Sequence, residues 1–233
     1  MTKLAIVGTG KMGTLVAALA PESGFVVVAQ LGRAETGRGL TAKTLNGAEV
    51  VIEFTVPGEA AGIVRNCATL GVPVVSGTTG WDAERPAIEA VVRQSKGALL
   101  WAPNFALGVH LFARVAADAA RTFTTGPARG LFDVQIVETH HAKKLDAPSG
   151  TAKMLAAAAE RAAGRPVPVS SIRTGDVTGT HEFVFDAPFE QVRLVHEARD
   201  RKVFASGALA AARWLVGRQG VYTLDDFLGA TTR

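Results

Sequence analysis

The 233-residue sequence is poor in cysteine, in charged residues and in long apolar runs. The lone Cys67 has no partner for an internal disulfide bond, which favours a reducing, cytoplasmic location. The first three residues lead directly into a strand-like run, so we expect no signal peptide. The longest stretch without Asp, Glu, Lys or Arg, residues 97–113, contains a proline, an asparagine and a histidine. We therefore expect no membrane span.

The positive and negative charges of the chain are nearly balanced. The 25 Lys and Arg residues outnumber the 21 Asp and Glu residues only slightly, which gives a formal net charge of +4. A surplus this small predicts no nucleic-acid partner, although it suits a small anionic ligand. Hydrophobic residues make up 48% of the chain and charged residues 20%, so the chain can bury a large core. That composition excludes a disordered protein.

Short apolar runs alternate with helix-like segments over the first hundred residues. Apolar runs without period-2 alternation are typical of parallel strands covered on both faces, which predicts an α/β, Rossmann-like, doubly wound parallel sheet. Beyond Pro103 the polar and apolar residues of the strand-like runs alternate, as in residues 181–185. This change predicts a smaller α+β domain with a mixed or antiparallel sheet. We place the first domain at residues 1–103 and 215–233, and the second at 104–214.

The individual elements follow from the same patterns. In the first half, we predict strands at 4–7, 25–31, 50–55, 72–76 and 98–101, and helices at 13–20, 60–70 and 82–94. In the second half, we predict strands at 132–138, 169–174, 181–186 and 190–198, and helices at 108–121, 151–163 and 208–216. The tail 222–228 closes the chain.

A glycine-rich loop lies between the first predicted strand and the first predicted helix. Its sequence, Gly8-Thr9-Gly10-Lys11-Met12-Gly13, has the G-x-G-x-x-G pattern. The first glycine permits a tight turn, the second lets a pyrophosphate approach, and the third lets the helix pack against the strand. Phosphate then binds the free N–H groups of the helix N-terminus. An ordinary glycine-rich turn is the alternative, but the position within a βαβ unit favours a dinucleotide site.

The end of the second strand bears on the choice of cofactor. In sites that prefer NAD, this strand ends with an acidic residue that binds the ribose hydroxyls. Here the strand ends Gln30-Leu31-Gly32-Arg33, and we assign the nearby Glu35 to the following loop. Arg33 and Lys11 are suited to face a 2′-phosphate, although a merely solvated Arg33 is the alternative. We therefore predict NADPH or NADH as cofactor, with NADPH preferred.

The most distinctive segment is the charged loop, residues 138–151, with the sequence ETHHAKKLDAPSGT. It contains a local cationic group made by His140, His141, Lys143 and Lys144. Ser149 is the predicted N-cap of the next helix, and the N–H groups of Gly150 and Thr151 suit a carboxylate ligand. Histidine changes its charge near neutral pH, which suits a proton donor. The charged loop is therefore the predicted active site.

The residues of the charged loop also have alternative roles. Paired histidines can bind a metal, but no cysteine cluster or H-x-x-x-H spacing accompanies them, so we expect none. Neighbouring residues on a strand point to opposite faces, so at most one of His140 and His141 is expected to face the ligand directly. We expect Lys143 to be solvated. Asp146 can hold the loop through turn hydrogen bonds.

Taken together, these motifs resemble those of the 4-hydroxy-tetrahydrodipicolinate reductases, the dihydrodipicolinate reductase family of bacterial and plant lysine biosynthesis. The His-His-x-x-Lys-x-Asp-Ala-Pro-Ser-Gly-Thr stretch is the most specific part of the resemblance. The other parts, in chain order, are the glycine loop, Gly77-Thr78-Thr79-Gly80, Ala102-Pro103-Asn104-Phe105 with Gly108-Val109, Arg173-Thr174-Gly175, Gly179-Thr180-His181 and residues 201–215.

The resemblance implies an NAD(P)H-dependent reduction of a cyclic imine dicarboxylate to tetrahydrodipicolinate, with loss of water and hydride addition at ring C4. It implies that His140 is the proton donor and that Lys144 is a cationic partner with a part in proton transfer. Contacts with the substrate carboxylates are implied for His141, Lys144, Ser149, Gly150 and Thr151. Further cofactor contacts are implied for Phe54, Thr55, Gly77, Thr78, Thr79, Ala102, Pro103, Asn104 and Phe105. A homotetramer assembled through the sheet of the second domain is also implied.

The sequence departs from the family pattern at a few positions. Lys11 stands where an arginine is common, Glu53 replaces a frequent aspartate, and Ala106 replaces a frequent serine. These departures bear on cofactor preference more than on the type of reaction.

Two other functions were weighed against this one. An amino-acid or sugar dehydrogenase would keep the glycine loop but has no need of the Pro-Ser-Gly-Thr anion site beside paired histidines. A dinucleotide-binding redox sensor would need a DNA-binding element, and the sequence shows no helix-turn-helix with a basic face.

Overall fold

The computed structural model describes residues 1–37 and 39–229, which form two compact units. One unit contains Met1–Ala106 and the chain from Lys202 onward, and the other contains Leu107–Arg201. The predicted return to the first domain at residue 215 differs from this division. The helix before that residue packs against the strands of the first unit, so the chain returns at Lys202 instead.

Ten strands of the described chain form two sheets. They are β1 (Thr2–Val7), β2 (Phe25–Leu31), β3 (Val50–Glu53), β4 (Val74–Ser76), β5 (Ala98–Trp101), β6 (Asp133–His140), β7 (Val169–Arg173), β8 (Thr180–Ala187), β9 (Glu190–Glu197) and β10 (Gly220–Tyr222). Six of them make a fully parallel sheet in the order β10-β5-β4-β3-β1-β2. The other four make a mixed sheet in the order β7-β6-β8-β9, in which only β6 and β7 are parallel.

Nine α-helices connect these strands within the described residues. They are α1 (Lys11–Leu19), α2 (Arg33–Thr36), α3 (Ala42–Leu45), α4 (Pro57–Thr69), α5 (Arg85–Gln94), α6 (Leu107–Thr124), α7 (Gly150–Ala163), α8 (Lys202–Leu215) and α9 (Leu224–Phe227). A short 3₁₀ turn covers Gly126–Ala128. None of the helices that the structure describes is long and apolar enough to cross a membrane.

The first unit confirms the predicted doubly wound α/β fold. Helices α1 and α8 pack together against the parallel sheet, and α4 and α5 also pack together against it. Every residue of β3 is fully buried, as expected for a strand covered on both faces. Strands β2 and β3 lie on opposite sides of β1, so the order of connection reverses there. Ligands of such sheets bind at the carboxyl ends of the strands beside this reversal.

The second unit confirms the predicted smaller domain with a mixed sheet. Its core contains alanines of α6 and α7 together with Phe183 and Phe185 of β8. Alternate residues of β6, from Val134 to His140, point into the buried side. This alternation also turns the polar residues Glu138 and His140 inward. Their side chains are buried, although they are neither apolar core residues nor solvated surface residues. Such buried polar groups indicate a functional site.

Candidate active site

The glycine loop has the geometry that a dinucleotide requires. Gly8 has a φ of +111°, and a Cβ atom on it would lie 2.0 Å from the carbonyl oxygen of Phe54. A Cβ on Gly13 would lie 1.9 Å from the carbonyl oxygen of Gly8, so both positions exclude a side chain. By contrast, a Cβ built on Gly10, the N-cap of α1, would have no described heavy atom within 4 Å beyond Gly10 and its two chain neighbours. The open side of Gly10 therefore leaves room for a pyrophosphate at the start of α1.

A buried carboxyl group organises the adjoining ends of β3 and β4. Glu53 is fully buried and accepts hydrogen bonds from Ser76 Oγ, from Thr78 Oγ1 at 2.8 Å and from Thr55 Oγ1 at 2.9 Å. Burial raises the pKa of Glu53, against the opposing effect of these hydroxyl donors. Thr78 Oγ1 also accepts from the backbone N–H of Thr55 at 2.8 Å. The sequence identified Thr55 and Thr78 as cofactor contacts, but it named Glu53 only as a departure from the family pattern and gave no sign that it joins them.

Two tryptophans fix the loop that follows β4. The carbonyl oxygen of Thr78 accepts hydrogen bonds from Trp81 Nε1 at 2.9 Å and from Trp101 Nε1 at 3.1 Å. A Cβ on Gly77 would lie 2.0 Å from the ring of Phe54, which makes an edge-to-face contact with Phe105. The structure thus joins these predicted cofactor residues through contacts within the first unit. Thr79 and Pro103 are exposed, whereas Ala102 is buried and Asn104 is half-buried.

The Glu53 network predicts a matched pair of variants. Glu53→Leu would leave three hydroxyl groups without their acceptor, at a cost of about 1–3 kcal/mol for each unpaired buried group. We expect this variant to lose roughly 3 kcal/mol or more of unfolding free energy and to bind NADPH more weakly. Glu53→Gln keeps an amide oxygen as acceptor and should lose less than half as much. Urea unfolding and fluorescence titration with NADPH measure both effects, and equal losses in the two variants would contradict this role.

The residues that follow β2 form the short helix α2. Arg33 is the first residue of α2 and is exposed. Glu35 belongs to this helix and not to a loop as predicted, because its carboxylate accepts a 2.8 Å hydrogen bond from the N–H of Gly32. That bond holds the carboxylate of Glu35 against the backbone, while the side chains of Arg33 and Glu35 are both exposed.

A second polar cluster lies at the end of β6, within the second unit. Glu138 is fully buried, and its carboxylate contacts the Nδ1 atom of the buried His140. The other carboxylate oxygen accepts a 2.7 Å hydrogen bond from Arg173 Nη2. Arg173 is paired with His140 across β6 and β7, and it also donates to the carbonyl oxygen of Asp146. Arg173 therefore connects the proton-donor candidate to the charged loop.

The charges of the cluster determine which nitrogen of His140 can exchange a proton. Burial opposes the ionisation of Glu138, but hydrogen bonds from Arg173 and Ser171 and the charge of His140 outweigh it and lower the pKa of Glu138 to about 2. Burial lowers the pKa of His140, although Glu138 opposes this shift. The Nδ1 atom of His140 is thus held by a carboxylate, which leaves Nε2 for proton exchange. A bound dianion would raise the pKa of His140 and favour its acid form.

His181 completes this cluster from the neighbouring strand. It is directly opposite Glu138 in the β6–β8 pairing and is 3% exposed. Its ring lies 5.3 Å from the ring of His140, centroid to centroid, in an edge-to-face arrangement. Burial, followed by repulsion from His140, lowers the pKa of His181 to about 4. The sequence listed His181 only as part of a family motif and gave no sign of this contact.

The low pKa of His181 predicts a loss of stability in mild acid. The unfolded chain takes up this proton below the ordinary pKa of 6.5, whereas the folded protein does so only near 4. Stability is therefore highest above pH 6.5, and the histidine alone should lower it by about 2 kcal/mol between pH 8 and pH 5. Glu138 adds a separate loss below pH 4.5, as the pH approaches 2. Urea unfolding across this range measures the effect, and His181→Phe should flatten the decline. An equally steep decline in that variant would contradict the assignment.

The anion site is predicted at the N-terminus of α7. Ser149 is the N-cap, since its Oγ accepts a 3.1 Å hydrogen bond from the N–H of Ala152. Its own N–H lies 3.4 Å from the carboxylate of Glu138, so the cap and the proton-donor cluster are in contact. A Cβ built on Gly150 would have no described heavy atom within 4 Å apart from its chain neighbours and the adjoining backbone of α7. This end of α7 therefore has room for a carboxylate beside helix N–H groups.

The remaining cationic residues of the charged loop lie in two places. Lys144 contacts Asp146, whereas His141 and Lys143 line a cavity. Lys144 Nζ lies 2.7 Å from a carboxylate oxygen of Asp146, and this hydrogen bond lowers the pKa of Asp146. His141 follows the last residue of β6 and is half-buried. It lines a cavity of about 240 Å³ whose other lining residues are Lys143, Asp176, Thr178 and Arg201. Lys143 is exposed, as expected, although it borders this cavity.

The donor atoms of the buried cluster also fit the residue types of a metal site. Glu138, His140 and His181 each offer a ligand atom, and these atoms lie within 4.8 Å of one another. Two histidines and a glutamate form one known set of zinc ligands. Here, however, the guanidinium of Arg173 already binds the carboxylate, and the carboxylate contacts His140 directly. The arrangement is better suited to holding a proton than a cation.

The family profiles of dihydrodipicolinate reductase match both parts of the chain. The profile of the N-terminal part matches residues 2–105, and that of the C-terminal part matches residues 108–228. A 4-hydroxy-tetrahydrodipicolinate reductase of Thiobacillus denitrificans is 36% identical over 97% of this chain and 98% of its own length. The protein of that name from Xanthomonas euvesicatoria is 40% identical over 94% of each chain.

A solved structure supports the same fold. The dipicolinate-bound dihydrodipicolinate reductase from Paenisporosarcina sp. TG-14 has a TM-score of 0.78 to this structure, with 24% sequence identity. The match covers 96% of this chain and 97% of that one. Profiles that together span most of the chain, and relatives of similar length, favour this family over the two other functions that the sequence raised. The chain belongs to the dihydrodipicolinate reductase family.

Proposed function

We propose that this protein reduces 4-hydroxy-tetrahydrodipicolinate to tetrahydrodipicolinate, in the diaminopimelate branch of lysine biosynthesis, with NAD(P)H. The observation that carries this proposal is the contact between the Glu138–His140 pair and Ser149, the N-cap of α7. This contact joins a proton donor and an anion site, which a cyclic imine dicarboxylate needs at the same time. The names of the similar proteins support the same substrate.

The residues of the second unit have defined roles in this proposal. A bound nicotinamide would supply the hydride for ring C4 of the dehydrated substrate. The electron pair displaced from the conjugated imine is then protonated at carbon, and His140 supplies that proton from Nε2. Glu138 holds the opposite side of the imidazole, and Arg173 holds Glu138. An acid that titrates near the working pH is suited to this step.

The substrate carboxylates are bound by the charged loop in this proposal. The N–H groups of Gly150 and Thr151 and the hydroxyl of Ser149 hold one carboxylate at the N-terminus of α7. His141 and Lys144 supply positive charge for the substrate, and Lys144 takes part in the proton transfer. The dipicolinate bound by the Paenisporosarcina enzyme is a planar diacid of the same kind. This similarity supports a diacid ligand for the present chain.

NADPH is the preferred cofactor in this proposal. Arg33 and Lys11 are exposed cations that suit a 2′-phosphate, and the carboxylate of Glu35 is hydrogen bonded to Gly32. We expect kcat/KM to be higher with NADPH than with NADH, and Arg33→Ala to reduce this difference by about tenfold. Initial rates with both nucleotides measure the ratio. A clearly higher efficiency with NADH in the unaltered protein would overturn the preference.

The activity itself is tested by a coupled assay. Purified dihydrodipicolinate synthase generates the unstable substrate, and absorbance at 340 nm follows the loss of NADPH or NADH. The proposal predicts oxidation that depends on the synthase and is inhibited by 2,6-pyridinedicarboxylate. No substrate-dependent oxidation with either nucleotide would contradict it, provided that a known reductase is active in the same mixture.

We further propose a homotetramer in a reducing cytoplasm. The face of the mixed sheet opposite α6 and α7 carries the half-buried Val137 and Val184 and the exposed Val195. Apolar residues on an open sheet face are typical of an interface between subunits. The lone Cys67 is fully buried and burial raises the pKa of its thiol, so it is an unreactive thiol in this location. Light scattering of the purified protein tests the assembly.

A further inference from the structure

His181 has a hydrogen-bonding pattern that its burial does not explain. It lies on β8 with its side chain inside the second unit, and it is 3% exposed. Its Nε2 atom is 3.3 Å from Ser149 Oγ, whereas its Nδ1 atom has no hydrogen-bond partner among the described residues. Leaving a buried polar atom unpaired is costly, so the contact that His181 does make, with Ser149, needs an explanation.

The charge state of His181 limits the ways in which it can bind Ser149. Burial, followed by repulsion from His140, keeps its pKa near 4, so the ring is neutral at pH 7 and carries one N–H group. If the hydrogen were on Nδ1, a donor would be buried without an acceptor. If it is on Nε2, only a lone pair is left unpaired, and unpaired buried N–H groups are the rarer of the two. The Nε2–H tautomer, which donates to Ser149 Oγ, is therefore favoured.

This tautomer determines what the Ser149 hydroxyl can do. A hydroxyl group accepts at most two hydrogen bonds and donates one. Ser149 Oγ already accepts from the N–H of Ala152 at 3.1 Å, and the N–H of His181 fills its second acceptor position. The O–H hydrogen is then the remaining hydrogen-bonding capacity of the group. A hydroxyl restricted in this way can donate a hydrogen bond to an oxyanion. It cannot accept one from a ligand that is itself a donor.

We infer that His181 is a positioning residue that makes Ser149 a donor only, directed to a substrate carboxylate at the N-terminus of α7. The inference rests on the proposed function, because it assigns a new residue to the recognition of the same diacid. His181 is not the proton donor in this account and does not touch the substrate. It acts through Ser149, and its neutral ring adds no charge beside His140.

A double-mutant cycle tests this inference, with 2,6-pyridinedicarboxylate as the probe in the presence of NADPH. Calorimetric titration of the full-length protein gives the dissociation constant for the diacid. His181→Phe and Ser149→Ala should each raise it by about tenfold, as expected for a lost hydrogen bond to a charged group. The double variant should be no weaker than Ser149→Ala, because His181 acts only through that hydroxyl. His181→Gln, which keeps an N–H donor, should recover most of the affinity.

His196 provides the matched control for this experiment. It is directly opposite His181 in the β8–β9 pairing, and its Nδ1 atom is also buried without a partner among the described residues. His196→Phe should leave the affinity for the diacid and for NADPH within about twofold of the unaltered protein. If His181→Phe and Ser149→Ala instead weaken binding additively, or if His181→Phe binds as well as the unaltered protein, the inference is wrong. Failure of the unaltered protein to bind the diacid at all would count against the proposed function.

The tautomer can also be observed without any substitution. The ¹⁵N chemical shifts of the His181 ring, in protein labelled at histidine, distinguish Nε2–H from Nδ1–H. We expect Nε2–H at pH 7, both with and without the diacid. A hydrogen on Nδ1 would overturn the inference even if His181→Phe failed to fold.

Discussion

Replacing His140 with glutamine is expected to lower kcat by about 10²- to 10⁴-fold, the range typical of a lost general acid. The reason is that Glu138 holds Nδ1, so the imidazole presents Nε2 as its exchangeable position. Glutamine retains polar atoms of similar reach but has no proton to give near neutral pH. Rates from the coupled assay over a range of pH give kcat as a function of pH. In the unaltered protein kcat should fall at high pH, as the general acid loses its proton, and this fall should be absent from the variant.

The cofactor provides the control for this prediction. His140 belongs to the second unit and the glycine loop to the first, so the dissociation constant of NADPH should change by less than about twofold. His196→Gln, a histidine outside the proton-donor cluster, should keep kcat near the unaltered value. A His140 variant that loses nucleotide affinity to the same extent as activity would show that the residue supports the structure and does not transfer the proton.

The second large effect is expected when Lys144 is replaced with methionine. We expect this variant to lower kcat/KM by at least about 10²-fold. Methionine keeps the length of the side chain while removing the charge that the proposed function assigns to a dianionic substrate. Lys144 is only about one-fifth exposed and is hydrogen bonded to Asp146, so its position is defined before the substrate binds. Lys144→Arg should recover part of the binding but less of kcat, because a guanidinium does not give up a proton.

The exposed Lys153 on α7 serves as the comparison for Lys144. Lys153→Met removes the same charge from the same unit and should change kcat/KM by less than about threefold, since general electrostatic attraction is screened by salt. Similar losses in the two methionine variants would mean that the net charge of the second unit, and not a specific ammonium group, attracts the substrate.

Local features of the sequence were sufficient to predict the turn of the glycine loop and the Ser149 cap of α7. Gly8 and Gly13 are required by close backbone approaches that follow from a strand, a tight turn and a helix in succession. Ser149 caps α7 through a hydrogen bond to a residue three positions away. Because these requirements lie within a few residues of the chain, the G-x-G-x-x-G pattern and the Pro-Ser-Gly-Thr stretch are enough to indicate them.

Long-range partners could not be predicted in the same way. Arg173 and His181 reach Glu138 only because β7 and β8 flank β6 in a particular register. Period-2 alternation shows which residues of one strand face inward, but it does not show which residue of another strand lies opposite. The contact of Glu53 with Ser76 and Thr78 is hidden for the same reason, since it joins two separate strands.

The start of α8 was missed for a local reason. The predicted helix began at residue 208, whereas the observed one begins at Lys202. Ser206 and Gly207 interrupt the run of strong helix formers, and intrinsic propensity therefore disfavours that turn. Gly207 and Ala208 are buried, so tertiary packing overrides the propensity. The same packing places α8 with the first unit and shifts the observed boundary away from residue 215.

A crystal structure with both NADPH and 2,6-pyridinedicarboxylate tests the central claim most directly. We expect one carboxylate of the diacid to accept hydrogen bonds from the N–H groups of Gly150 and Thr151 and from the hydroxyl of Ser149. The ring should lie within hydrogen-bonding or van der Waals distance of His140 Nε2. A diacid bound away from the N-terminus of α7, with His140 touching neither its ring nor its carboxylates, would contradict the account.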